Sequence, residues 1–227
     1  MSCKLLITGG QEAVFAPAFA ARPASVCLDL EDTVPDELKD ATRALAPGFI
    51  AGARAAGCSP ALRLSPLGTL DGLRDVLFLQ ELPELPDSVV LTKLGSRAEL
   101  KLYEELLQGR CAGIRLTAII ESAEGLNAVE EIATSSARLD ALSFGGKDFS
   151  KQMRMKREWE PLFHARMRVA HAAAMAGIGI YDEPYHPRDD LEGLHAHCLR
   201  VKAMGFTGKS ATDPRHVPVI DAAFAEA

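Results

Sequence analysis

Short apolar runs with strand character recur eight times along this chain of 227 residues. Longer segments with helical periodicity separate them, for example residues 36–57 and 160–177. Strands that alternate with helices predict parallel βαβ units. Eight such units favour closure into a single (β/α)₈ TIM-type barrel, with an open α/β sheet as the alternative. The runs cover residues 3–8, 25–30, 61–65, 88–94, 115–121, 139–145, 177–182 and 205–211.

Composition and charge exclude several classes of protein. The net charge of −6 gives no electrostatic reason to expect nucleic acid or an anionic membrane as a partner. No run approaches the roughly twenty apolar residues that span a bilayer, and the amino terminus lacks the pattern of a signal peptide. The five cysteines show no CxxC spacing, which predicts reduced thiols in a cytoplasmic protein. Residues 1–227 are therefore expected to form one barrel domain.

Charged residues cluster at the predicted carboxyl ends of the strands. Catalytic groups of a (β/α)₈ barrel lie at those ends, and a strand buried on both faces has no use for an unpaired charge. We therefore expect these side chains to converge on one mouth. They are Asp29, Glu31, Asp32, Arg63, Lys93, Glu121, Lys147, Asp148, Asp182, Glu183 and Lys209.

Two of these carboxylates, Glu121 and Asp148, are the candidate ligands of a divalent metal. Mg²⁺ prefers oxygen ligands and usually takes only one or two carboxylates from the protein. Arg63 is a candidate for binding a substrate carboxylate or a developing enolate through a bidentate pair. Lys93 is a second candidate for binding substrate.

Structural roles remain open for the same residues. A lone carboxylate at a strand end caps a helix or pairs with a lysine about as often as it acts in a site. Lys93 is then a partner of Asp29 or Glu31, and residues 28–43 are a helix start capped by Asp32 or Thr33. The pair Gly9-Gly10 is a turn too short to predict a phosphate loop. Among the histidines, only His186 falls in a loop that can line the mouth.

Seven motifs cover nearly the whole chain. They are LDLEDTVPDELKDATR (28–43), LRLSPLGT (62–69), VVLTKLGSRAEL (89–100), LTAIIESAEGLNAVEEIA (116–133), LDALSFGGKDFS (139–150), YDEPYHPRDDLEGL (181–194) and GFTGKSATDPRHVPVIDAAF (205–224). Together they resemble the citrate lyase β-subunit-like (CitE-like) branch of the HpcH/HpaI aldolase family, within the phosphoenolpyruvate/pyruvate superfamily of barrels. The motifs follow the family's order.

The resemblance implies roles for individual residues. Glu121 and Asp148 would ligate Mg²⁺, Arg63 would bind the substrate carboxylate or enolate, and the catalytic pair Glu31-Asp32 would line the site. Family members cleave carbon–carbon bonds reversibly in citryl-, malyl- or citramalyl-thioesters, and they are commonly homotrimers or hexamers.

Two departures from the family pattern bear on coenzyme A. The first loop, TGGQEAVF (8–15), lacks the basic residue of the family's loop, and the sequence ends at Ala227 without the C-terminal extension of longer relatives. Neither departure touches the metal ligands. We therefore expect a Mg²⁺-dependent carbon–carbon lyase for a small β-hydroxy acid or its coenzyme A or carrier-protein thioester. The alternatives are an aldolase that releases pyruvate from free 2-oxo acids, and a non-catalytic barrel that binds a dicarboxylate or serves in an assembly.

Overall fold

Eight parallel strands close into a barrel in the computed structural model, which describes residues 2–8 and 11–225. Each strand pairs with the next, and β8 pairs with β1 through the registers Cys3↔Lys209 and Leu5↔Ala211. The predicted TIM-type barrel is confirmed, and the open-sheet alternative is wrong. The strands are β1 (Cys3–Ile7), β2 (Ser25–Asp29), β3 (Ser59–Leu64), β4 (Ser88–Leu91), β5 (Arg115–Ile120), β6 (Leu139–Phe144), β7 (Gly179–Asp182) and β8 (Gly208–Ala211).

Helices follow the strands and cover the outside of the barrel. Within the described ranges, the α-helices are α1 (Phe15–Ala20), α2 (Lys39–Ala55), α3 (Leu70–Glu81), α4 (Arg97–Leu106), α5 (Ala123–Asn127), α6 (Val129–Ala133), α7 (Gly146–Gln152), α8 (Trp159–Ala176), α9 (Leu191–Lys202) and α10 (Val217–Ala225). Helix α8 ends as predicted at Gly177, whose φ of 68° is the left-handed cap that glycine adopts without steric cost. No helix of residues 2–8 or 11–225 is long and apolar enough to cross a membrane.

The segment after β2 does not form the capped helix that the sequence analysis gave as an alternative. A short 3₁₀ turn at Asp36–Leu38 precedes α2, and Pro35 occupies its N-cap position without a side-chain cap. Thr33 instead donates from its backbone N–H and from its hydroxyl to Asp29 Oδ2, at 3.0 and 2.5 Å. The proposal that Asp32 or Thr33 caps a helix is therefore wrong, because a loop ordered around Asp29 takes its place. The Gly9-Gly10 turn lies outside the described residues.

Part of the barrel interior is lined by a small apolar cluster. Cys27, Ala61, Val90 and Ile119 form this cluster, which is separate from the main core between strands and helices. Cys27 and Ala61 are smaller than the branched residues that usually fill barrel interiors, so they leave space along the axis. That space forms the lower part of the cavity described next. All five cysteines of the chain are buried and form no disulfide bond, as their spacing predicted.

Candidate metal and substrate site

One cavity runs from the mouth of the barrel into its interior. Four of the predicted site residues, Asp32, Arg63, Glu121 and Asp148, line it directly. At its lower end the Lys4 ammonium donates to Thr117 Oγ1 at 3.0 Å. The structure thus brings the predicted residues together at the carboxyl ends of the strands. The other lining residues are Leu6, Cys27, Thr33, Val90, Ile119, Ser143, Phe144, Gly145, Lys147, Arg157, Glu183, Pro184, His186, Ser210 and Thr212.

Glu121 follows β5 immediately and is held by the backbone of a neighbouring strand. Its Oε1 accepts a hydrogen bond of 2.7 Å from the backbone N–H of Lys93. Lys93 lies just past β4 with a φ of 52°, a left-handed conformation that is rare for a side chain other than glycine. Burial raises the pKa of Glu121 to about 8, and the charges of Glu31 and Asp148 add to the effect. A cation bound here would relieve that repulsion.

Asp148 is the second candidate ligand, and it lies in the first turn of α7 and not at a strand end. Its carboxylate is partly exposed and has no hydrogen-bond or ion-pair partner among the described residues. Gly145, which precedes α7, makes room for Glu121, since a Cβ at that position would lie 2.5 Å from Glu121 Cβ. Residues 2–8 and 11–225 contain no cluster of three or more His, Cys, Asp or Glu side chains suited to a metal. Two carboxylates with room for water and substrate oxygens match Mg²⁺, which does not need a complete protein cage.

Arg63 is fixed by a buried carboxylate on the adjacent strand. Its Nε and Nη2 donate to the two oxygens of Asp29, each at 2.6 Å, and Asp29 is fully buried. Burial opposes ionisation of Asp29, but the hydrogen bonds and charge of Arg63 outweigh it and lower the Asp29 pKa. The bidentate edge predicted to hold substrate is therefore occupied. Nη1 remains, 3.5 Å from Glu31 Oε2.

Lys93 contacts two of the three acidic residues of the LDLED motif. Its ammonium lies 2.7 Å from Glu31 Oε1 and 3.2 Å from Asp32 Oδ1. The alternative in which Lys93 pairs with Glu31 describes this contact, and the pairing with Asp29 does not occur. Binding of substrate by Lys93 stays a prediction. In this structure its positive charge is shared with these two carboxylates.

Two of the strand-end charges belong to the outer packing and not to the cavity. Asp182 and Lys209 are fully buried and form an ion pair of 2.5 Å. Arg166 of α8 completes the pair by donating from Nε to Asp182 Oδ1 at 2.9 Å. The expectation that both strand-end charges face the mouth is thus wrong. They join β7 and β8 to the helical layer.

Arg157 is a lining residue that the sequence did not single out. It lies in the loop between α7 and α8, and its Nε donates to Glu183 Oε2 at 2.8 Å. Glu183 also accepts from Arg166 Nη2 at 2.8 Å. No strand-end pattern marks Arg157, because its loop is remote from any strand in sequence. His186 lines the cavity, as its loop position suggested.

Known proteins share this arrangement of strands and motifs. The sequence profile of the family described as HpcH/HpaI aldolase/citrate lyase matches residues 4–214. The chain belongs to this family. L-malyl-CoA/beta-methylmalyl-CoA lyase of Rhodobacter capsulatus is 30% identical over 98% of this chain and 78% of its own length. The expected membership of this family is thereby confirmed, and with it the expectation of a lyase.

Solved structures are similar over the whole length of the chain. RipC from Yersinia pestis superposes with a TM-score of 0.86 at 33% identity, covering 100% of this chain and 96% of its own. CitE from Mycobacterium tuberculosis, solved in complex with magnesium, acetoacetate and coenzyme A, superposes with a TM-score of 0.85 at 24% identity. That comparison covers 100% of this chain and 81% of the CitE chain, and it supports the fold.

Proposed function

We propose that this protein is a Mg²⁺-dependent carbon–carbon lyase that cleaves a small β-hydroxy acid or its coenzyme A or carrier-protein thioester. The observation that carries the proposal is the pair of carboxylates in one cavity. Glu121 is buried among like charges, and Asp148 beside it has no partner in the described chain. The malyl-CoA lyase relative and the CitE structure with magnesium support the same chemistry.

Each side chain of the proposed site has a defined task. Glu121 and Asp148 would hold Mg²⁺, which would supply Lewis acidity toward an oxygen of the substrate. Arg63 offers Nη1 to a substrate carboxylate or to that oxygen, and Asp29 fixes the orientation of the guanidinium. Glu31 and Asp32, shared with the Lys93 ammonium, are the candidates for moving a proton at the hydroxyl group.

The test is a cleavage assay with and without Mg²⁺. Citryl-, malyl- and citramalyl-CoA, the corresponding free acids and a free 4-hydroxy-2-oxo acid are offered at equal concentrations, and each product is identified by mass spectrometry. Mg²⁺-dependent release of acetyl-CoA or acetate from the β-hydroxy substrates supports the lyase. Release of pyruvate from the free 4-hydroxy-2-oxo acid alone would favour the aldolase alternative. Retention of Mg²⁺ binding without any cleavage would favour the dicarboxylate-binding barrel.

Arg63→Lys separates the role of Arg63 from that of the metal. A lysine cannot hold both oxygens of Asp29 and still present a donor to the cavity, so kcat/KM should fall by about tenfold or more. The dissociation constant of Mg²⁺ should change less than threefold. Unchanged kcat/KM in this variant would remove Arg63 from the mechanism.

We further propose a homo-oligomer, a trimer or hexamer as is common in the family, that acts in the cytoplasm. Three leucines on one side of α3 support the assembly. Leu70, Leu73 and Leu77 are 63%, 49% and 64% exposed and follow helical spacing, so they form an apolar stripe suited to a subunit contact. Sedimentation equilibrium tests this directly. A concentration-independent monomer mass would contradict the assembly.

A further inference from the structure

Charge is distributed unevenly around the cavity. Five carboxylates on and near its acidic side are accompanied by only two cations, Arg63 and Lys93. With all five ionised, three negative charges are left over, and a divalent cation would remove most of that excess. The carboxylates are Asp29, Glu31, Asp32, Glu121 and Asp148.

A second part of the cavity has the opposite charge. We call it the basic wall and define it by Lys147, Arg157 and His186, which all line the cavity. Lys147 is exposed and forms no ion pair with a described residue. Arg157 uses Nε and Nη2 on Glu183, while its Nη1 has no partner in the described ranges.

Further cations stand behind the basic wall. Arg166 and Lys209 join Arg157 in contacting two carboxylates, Asp182 and Glu183. With Lys147 included, this region has four cations and two carboxylates, which leaves two formal positive charges. The pKa of His186 is lowered by its surroundings. Burial has the largest effect, and the positive charges of Arg157, Lys209 and Lys147 lower the pKa further.

We propose that the basic wall binds a second anionic group of the substrate, in addition to the carboxylate or carbonyl oxygens held at the metal. A guanidinium nitrogen and an ammonium group without a partner among the described residues are groups that recognise carboxylates and phosphates. The inference rests on the proposed function, and it assigns Lys147 and Arg157 to the second anion of such a substrate. That anion is the distal carboxylate of a dicarboxylic acid or a phosphate of a coenzyme A thioester.

Two matched acids isolate the second carboxylate. Oxaloacetate and 2-oxobutyrate have the same 2-oxo acid head and differ by a carboxylate in place of the terminal methyl group. Binding of each, and of coenzyme A, is measured by calorimetry in Mg²⁺ with wild type, Lys147→Met and Arg157→Gln. Lys151→Met is the matched control, because Lys151 lies on α7 but does not line the cavity.

Lys147→Met and Arg157→Gln should each raise the dissociation constant of oxaloacetate or coenzyme A at least fivefold. The dissociation constant of 2-oxobutyrate should change less than twofold. Loss confined to oxaloacetate identifies the carboxylate as the bound anion, and loss confined to coenzyme A identifies the phosphate. The control should bind every ligand as wild type does. Equal weakening of all three ligands, or no weakening of any, would overturn the proposal.

Inorganic phosphate without Mg²⁺ tests the basic wall independently of the lyase. Wild type and Lys151→Met should bind phosphate with the same dissociation constant, and Lys147→Met should bind it at least fivefold more weakly. Failure of 2-oxobutyrate to bind wild type in a Mg²⁺-dependent manner would contradict the proposed function alone. Identical phosphate binding by Lys147→Met and wild type would contradict the basic wall alone.

Discussion

Replacement of Glu121 by Gln should stabilise the metal-free protein at alkaline pH. Burial, together with the charges of Glu31 and Asp148, raises the Glu121 pKa from its ordinary value of 4.5 to about 8. The folded chain therefore keeps a proton that the unfolded chain releases within this interval. Since the folded state then binds more protons, the free energy of unfolding falls as pH rises from about 4.5 to 8.

The size of the effect follows from the same interval. A change of one in pKa corresponds to about 1.4 kcal/mol, so the interval sets an upper bound of about 5 kcal/mol. Solvent at the open mouth screens the repulsion, and we expect a gain of about 1–3 kcal/mol for Glu121→Gln at pH 9. Gln retains the oxygen that accepts from the Lys93 N–H at 2.7 Å, so this hydrogen bond is not lost.

Thermal unfolding at pH 6 and pH 9 in a chelator measures the effect. For a chain of this size, each kcal/mol shifts Tm by roughly 2–4 °C. Glu121→Gln should unfold at a higher temperature than wild type at pH 9, with a smaller difference at pH 6. Glu105→Gln makes the same chemical change at an exposed position of α4 and should have no effect. A Glu121→Gln variant less stable than wild type at both pH values would refute the reasoning.

Two further substitutions test the packing around the site. Gly145→Ala places a Cβ about 2.5 Å from that of Glu121, so it should cost about 1–3 kcal/mol of stability and weaken Mg²⁺ binding, as measured by urea unfolding and calorimetry. Gly48→Ala, which meets nothing within 4 Å on α2, is its control and should be neutral or stabilising. Lys209→Met removes one cation from the fully buried Asp182 and should cost about 3–5 kcal/mol in urea unfolding with the Mg²⁺ affinity unchanged. A cost below about 1 kcal/mol would contradict the importance of that pair.

The barrel could be predicted because its periodicity is local. Eight apolar runs and the helical segments between them are visible in the sequence, and parallel strands leave few ways to connect them. The predicted ends of the strands were less accurate, because side chains and loops determine where each strand ends. The fourth strand stops at Leu91, where Thr92 turns its hydroxyl to the Leu64 carbonyl and Lys93 adopts its left-handed backbone.

The sequence analysis did not predict to which face of the sheet each charged side chain at a strand end points. Successive residues of a strand point to opposite faces, so adjacent charges such as Asp182 and Glu183 cannot both face the cavity. Counting in steps of two from Tyr181 would have placed Glu183 inside and Asp182 outside. The partner of Arg63 follows the same logic, because Asp29 and Arg63 are paired in register on β2 and β3.

Two residues of the cavity lie beyond the strand ends. Asp148 lies four residues beyond the end of β6, in the first turn of α7, and Arg157 is still further along the chain. The strand-end pattern and the family motif both pointed to Asp148, although it lies on a helix and not at a strand end. No comparable pattern marked Arg157, because its position depends on the loop between α7 and α8.

Titration of the metal-free protein with Mg²⁺ by calorimetry tests the central claim most directly. Wild type should bind one Mg²⁺ per chain, and Glu121→Gln and Asp148→Asn should each weaken that binding by about tenfold or more while remaining folded. Glu105→Gln should bind as wild type does. Mg²⁺ binding that is the same in wild type and in both ligand variants would contradict the assignment of Glu121 and Asp148 as the metal site.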